Sequence, residues 1–328
     1  MPAPRFLGPD APPADTLIVD CARTDGAATW SHWPDAPELP TAWRADTSTG
    51  QVLRILAQDP QQCAAFSWVA NDHLDVDGVL AVACACRGTD ILPYAAVLEA
   101  AAECGDFTAW VDESAIRLCW HLHQIIGQEQ AAAGTWQNRC LERITRTLPE
   151  IIDASGKADR QRDAAWQCVS AARARVQARS GVTVEHLGDV VSVIWQRGEY
   201  GHAWDAFLGV PSHDDMPTLA LAGHWPDTCF RLAGEHSPAG TVYVLDAPGH
   251  SWAATVRRPR VRWPDLGRAA HRLQAVETAA CRWVTRPQAA QISFVGQLAT
   301  VDANGQPAVS ASPLATVAAA CREALRAR

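Results

Sequence analysis

The chain has 328 residues, of which 48% are hydrophobic and 20% charged, with a formal net charge of −8. This is enough for a full core in one large or two modest domains, and the acidic balance excludes binding along a nucleic-acid backbone, which needs a basic surface. Lys157 is the only lysine, so Schiff-base chemistry would fall on a residue whose charged, helical surroundings do not suit it.

In chain order, the proline-rich start Met1 to Pro13 lacks the apolar core of a signal peptide. Thr16 to Asp20 reads as a first strand. A loop rich in Trp and Pro follows, from Trp30 to Pro40, and Asp46 to Gly50 precedes a capped helix over Gln51 to Ala57. A strand over 65–70, an acidic loop, a helix over 79–87 and a helix from Pro93 to Glu103 complete an α/β unit with a mostly parallel sheet. From Glu113 to about Arg179 the spacing of Ile116, Leu118, Cys119, Leu122, Ile125 and Ile126, and of Leu141, Ile144, Leu148 and Ile151, is helical. Beyond it, Val190 to Trp195 and Thr241 to Leu245 read as strands and Pro264 to Trp283 as a helix. Ile292 to Ser310 reads as a hairpin across Asn304-Gly305, and Ser312 to Ala327 as a closing helix. The expected division is 1–112, 113–180 and 181–328: an α/β domain, a helical segment and a smaller α+β part. Eleven scattered cysteines without a Cys-x-x-Cys pair suit reduced thiols in a cytoplasmic protein. No apolar run reaches 18 residues, so no membrane span is expected.

The segment Phe66 to Gly78 carries the most chemistry. An apolar strand ends in a loop holding Asp72, His73, Asp75 and Asp77, and Gly78 turns into a helix of small apolar residues. Three carboxylates and an imidazole within six positions repel one another unless a cation or polar ligand compensates them. Capping the helix needs only one carboxylate. A calcium loop is excluded by counting: with His73 at position one, Cys84 falls where a bidentate Glu is required. A hard ion such as Mn²⁺ or Mg²⁺ suits the donors, with Zn²⁺ or Fe²⁺ as alternatives.

His73-Leu-Asp-Val-Asp-Gly78, at a strand-to-helix junction, resembles the first motif of the DHH phosphoesterase superfamily. That resemblance implies a DHH-like fold for the mostly parallel domain and a metal site at His73, Asp75 and Asp77. The superfamily's Asp-His-His triplet does not occur in the chain. Ser31-His-Trp-Pro34, Asp46-Thr-Ser48, Asn71 to Gly78, Gly105-Asp-Phe107, the Leu148-Pro149 segment and the Trp283 region resemble the motif series of an uncharacterised bacterial family. This implies that the polar motifs belong to one site, adding His32, Asp46 and Asp106. His32 and Asp46 could equally be a packed loop histidine and a helix cap, and Asp106 an Asx-turn residue.

Weaker candidates follow. His121 and His123 lie two apart on a helix, roughly 200° around its axis, and cannot share one metal. His202 and Asp205 could pair on one helix face. His250 in Asp246-Ala-Pro-Gly-His250 resembles a substrate-binding turn of DHH second domains, and Arg87 could assist an anionic group. The expected activity is a metal-dependent hydrolase of a small phosphorylated metabolite, with His73, Asp75, Asp77 and Asp106 as ligands and His73, Asp77 and His32 in the chemistry. The alternatives are hydrolysis or rearrangement of an amide, amidine or other C–N bond in specialised metabolism, with the tryptophans lining an apolar pocket, and a non-catalytic metabolite-binding relative. The expected partner is a small molecule, with no long nucleic acid and no membrane.

Overall fold

The computed structural model describes residues 1–132, 134–187, 190–196, 219, 230–261, 266–285, 298–304 and 308–326. The chain forms two compact units, one of residues 1–166 with 252–259 and the other of residues 167–251 with 260–328. The α/β elements at the start of the chain and the first helices of its middle segment thus share a unit.

In the first unit, strands β1 (Ala3–Phe6), β2 (Thr16–Val19), β3 (Ala28–Trp30) and β4 (Trp68–Asn71) make a sheet in the order β1-β4-β2-β3. Every pairing is parallel, with Thr16 opposite Trp68 and Leu17 opposite Ala28. Leu17, Ile18 and Val19 are all wholly buried, which explains the unbroken apolar run: a parallel strand is covered on both faces. Helices α1 (Ser48–Gln58) and α3 (Val76–Arg87) lie against the sheet, with the short α2 (Gln61–Ala64) between them in sequence and α4 (Ala95–Phe107) packed on both. Helices α5 (Glu113–Ala131), α6 (Trp136–Ser155) and the start of α7 (Arg160–Ala178) extend this unit. The expected strand and helices are present, with α3 beginning three residues early because Asp75 caps it, its side chain accepting from the Gly78 amide at 2.8 Å.

Val76–Phe107 reaches the length and mean hydropathy, 1.2, of a membrane span. The stretch consists of α3, a 3₁₀ turn over Gly88–Tyr94 and α4, broken at Gly88 (φ 68°) and Pro93. Every α3 residue from Val76 to Cys86 is buried. Composition alone does not separate such a core helix from a span.

The second unit holds a sheet in the order β5-β6-β7-β8-β10-β9, comprising Val182–Leu187, Val190–Gln196, Phe230–Ser237, Gly240–Asp246, Leu298–Val301 and Arg282–Thr285. Only β6 and β7 run parallel; the other pairs are antiparallel. Helices α8 (Leu266–Val276) and α9 (Leu314–Arg326) bury Leu266, Leu273, Val317 and Cys321 against Phe230, Leu232 and Leu245. The helix expected to reach Trp283 stops at Val276, where Glu277 turns back to accept from the Thr278 and Ala279 amides, and Trp283 lies in β9. Gly305 and much of the expected final hairpin lie outside the described residues. The nine described cysteines are free and buried.

Candidate metal centre

Parallel α/β sheets place ligand-binding loops at the carboxyl ends of their strands, and three such loops meet here. Asp20 follows β2 with a left-handed φ of 54°, a conformation that Asp tolerates better than most residues. Its amide donates to the Trp30 carbonyl at 3.1 Å. The buried Asn71 at the end of β4 donates to the carbonyls of Val19 (3.2 Å) and Asp20 (3.4 Å) and accepts from the His73 amide at 2.6 Å. Asn71 therefore locks the loops after β2 and β4 together. Gly78 permits this, because a Cβ there would lie 2.5 Å from the Asn71 amide nitrogen.

Helix termini supply the next layer. Thr47 caps α1 by accepting from the Gly50 amide at 3.1 Å. The free amides of Ser48 and Thr49 donate to the two carboxylate oxygens of Asp77, at 2.7 and 2.8 Å. Asp77 is thus held at a helix N-terminus, where the dipole favours negative charge. Gly105 lets the last turn of α4 close on Val76, which its Cβ would approach to 2.7 Å, and Asp106 is thereby carried beside Asp77.

Two overlapping donor sets result. Asp20, His32, Asp77 and Asp106 offer donor atoms all within 4.8 Å of one another, and so do Asp20, His73 and Asp75. Asp20 belongs to both. His32 Nε2 lies 3.2 Å from Asp20 and from Asp106 and 3.7 Å from Asp77. His73 Nε2 lies 3.3 Å from Asp20 and 3.2 Å from Asp75. Each imidazole is oriented through its other nitrogen: His32 Nδ1 meets the Asp46 carbonyl at 2.6 Å and His73 Nδ1 the Asp72 carboxylate at 2.8 Å. With Nδ1 donating, Nε2 faces the centre and would become a ligand on loss of its proton, the arrangement of a metal-binding histidine.

Burial dominates the electrostatics of the centre. It is the largest influence pushing Asp77 up to about 7, with the Asp20 charge adding to it. Asp106 rises well above the carboxylate range through burial and then the charges of Asp77 and Asp75. Burial also opposes charge on Asp20, but its contacts with His32 and His73 outweigh this and hold it low. Burial alone would lower both histidines; Asp106 and Asp20 raise His32, while Asp75, Asp20 and Asp72 raise His73. Asp20 Oδ2, His32 Nε2 and Asp106 Oδ2 are buried and make no hydrogen bond. Mutually repelling carboxylates, two of them with an oxygen that makes no hydrogen bond, beside two imidazole Nε2 atoms fit a divalent cation, which replaces protons when it binds.

The sequence candidates divide as follows. His32, His73, Asp75, Asp77 and Asp106 come together. Asp46 lies beside them but turns its carboxylate to Arg258 Nη1 at 2.8 Å and to the amides of Val256 and Arg257. Arg87 does not face the centre: its Nη1 donates to the Thr145 and Arg146 carbonyls, both at 3.1 Å. His121 meets the Ser155 hydroxyl at 3.0 Å. His123 is pushed down to about 4 by burial, with the Asp75 charge acting against it. His250 is buried in the second unit, and His202 lies outside the described residues. Asp20 and Ser48, whose hydroxyl donates to Asp20 at 2.9 Å, were not among the candidates. An acidic residue directly after the strand Thr16–Val19, at a carboxyl end where such sheets bind ligands, was the one signal for Asp20.

No curated protein and no solved structure matches the chain, so the DHH resemblance stands on the acidic loop alone. A family match does cover nearly all of it: over residues 6–300 the chain belongs to DUF6687, a family of unknown function.

Proposed function

We propose that the first unit is a two-ion, metal-dependent hydrolase acting on a small phosphorylated metabolite. The observation that carries this reading is the pair of donor sets sharing Asp20, with an imidazole Nε2 directed into each. Carboxylates with one imidazole per set and no thiolate favour Mn²⁺ or Mg²⁺, and the imidazoles favour Mn²⁺ of these two. Ions held there would lower the pKa of water and neutralise charge on the attacking and leaving oxygens.

The chain's own residues set the direction of approach. The inner set is buried, with the His32 and Asp77 side chains wholly inaccessible. The outer set is open, with the His73 side chain 30% and that of Asp75 41% exposed, so substrate meets the outer set first. The net charge of −8 disfavours long nucleic acids. A second reading, hydrolysis of an uncharged C–N bond, is favoured by Trp33, whose ring lies 5.6 Å from that of His73 and 6.1 Å from Trp252. These indoles give the outer set an apolar flank.

The test is a screen of small phosphoesters and amides with Mn²⁺-loaded protein, reading phosphate and ammonia separately. Phosphate release that stops on chelation supports the first reading. Ammonia release without phosphate favours the second, and inertness of the loaded protein to both classes rules out a hydrolase.

A further inference from the structure

Residues 252–259 are far from the rest of the first unit in sequence, yet they belong to it. They form a strap over the buried side of the centre. The Ala254 amide donates to the His32 carbonyl at 2.8 Å. The Val256 and Arg257 amides donate to Asp46 Oδ1 at 2.6 and 2.8 Å. Arg258 bridges two carboxylates, with Nη1 at 2.8 Å from Asp46 and Nη2 at 2.7 Å from Glu103, and lies over the Phe107 ring at 5.0 Å. The Trp252 ring meets His32 edge-on at 5.0 Å and Phe107 at 6.2 Å.

These contacts converge on Asp46. Its carboxylate, wholly buried, is where the strap is anchored, and its carbonyl is the atom that holds His32 Nδ1. Glu103, the other end of the Arg258 bridge, lies one helical turn from Asp106 on α4. The strap therefore ties together the two supports of the inner donor set, the loop behind His32 and the end of α4. Asp46 makes more charge-assisted bonds than a helix cap needs, and none of them reaches the centre.

We propose that Asp46 is a positioning residue that links seating of the strap to metal binding: the Asp46–Arg258 clamp fixes the His32 ring and Asp106 in their ligating positions, and an ion in the inner set holds the strap down in return. Reciprocity is a thermodynamic requirement, since whatever ordering of the strap aids the ion must be aided by it. This rests on the metal reading of the site. Groups that orient a ligand from behind change metal affinity by about 10- to 100-fold when removed.

The experiment is titration of the full chain with Mn²⁺ in the wild type, Asp46→Asn, Arg258→Met and the double variant, alongside trypsin cleavage after Arg257, whose side chain is 53% exposed but pairs with Glu99, Glu103 and Asp46 and is released only when the strap lifts. Each single substitution is expected to weaken the tighter Mn²⁺ site by about 10- to 100-fold, and the double variant by little more than either, because both break one clamp. Mn²⁺ should slow cleavage after Arg257 in the wild type and lose that effect in Asp46→Asn. Arg258→Met removes the guanidinium but leaves Asp46 and its bonds from the Val256 and Arg257 amides in place, so it carries the test if Asp46→Asn misfolds. Affinities within about twofold of the wild type, or effects that simply add in the double variant, overturn the clamp. Failure of the wild type to bind Mn²⁺ overturns the metal reading itself, a result distinct from tight binding that ignores both substitutions.

Discussion

Two carboxylate sites in this chain have opposite surroundings. In the first unit, Asp20, Asp77 and Asp106 lie buried against one another, and oxygens of Asp20 and Asp106 have no hydrogen-bond donor. In the second, Glu277 receives six donors from its own unit. Its Oε2 accepts from the hydroxyls of Ser310 and Ser312 and from Trp283 Nε1, and its Oε1 from the amides of Thr278, Ala279 and Ala311. The Glu277 site is complete and serves the fold, joining the end of α8 to β9 and to the segment before α9. The Asp20 site instead sets carboxylates against one another and balances them only with the imidazoles of His32 and His73. A buried acid whose neighbours are other acids costs stability, and a bound cation would offset that cost.

The largest effect should come from the residue common to both donor sets. Asp20→Asn is expected to abolish high-affinity Mn²⁺ uptake at both positions, read by elemental analysis after gel filtration. Asp106→Asn and Asp75→Asn each touch one set, so each should remove one ion and leave the other. Because Asp106 is surrounded by Asp77 and Asp75 charge, the ion-free Asp106→Asn protein should be no less stable than the ion-free wild type. A marked loss of stability would place Asp106 with Glu277 as a structural acid.

Glu277 gives the contrasting case. Burial opposes its charge, but the Ser310 hydroxyl and the Ala279 amide outweigh that and hold it at about 2, below its ordinary 4.5. A depressed carboxylate contributes stability that is full above its unfolded value and disappears as pH falls through the folded one. Glu277→Gln should therefore cost about 1–2 kcal/mol near neutrality, discounted for solvent screening, and progressively less as pH falls towards 2. Hydrogen exchange of the β9 amides across that range checks it. A deficit that persists undiminished at pH 2 would mean that charge is not what Glu277 contributes. Arg87→Met should do least: about 1 kcal/mol from its bonds to α6 beside the kink at Thr147, with Mn²⁺ affinity unchanged. A weakened affinity would restore Arg87 to the site.

How much was legible in the sequence follows the distance between partners. The acidic loop from Asp72 to Asp77 was readable because its charges are contiguous, and the helices from Glu113 onward because their period is local. Asp20 carries no such mark: one acid after Thr16 to Val19 reads as a strand end, and only the crossing of β2 beside β4 brings it to His73. The Asp46 clamp joins residues 210 to 212 positions apart, beyond any local pattern. Helical spacing suggested a helix through Trp283, but the bonds from Thr278 and Ala279 to Glu277 that end it at Val276 use a side chain, which periodicity does not register.

Electron paramagnetic resonance of the Mn²⁺-loaded full chain tests the shared role of Asp20 most directly. Two ions joined by one carboxylate give an exchange-coupled spectrum, and the expected result is that spectrum at two Mn²⁺ per chain, lost in Asp20→Asn. An isolated Mn²⁺ signal that survives Asp20→Asn unchanged, or no bound Mn²⁺ at all, would contradict a two-ion centre built on Asp20.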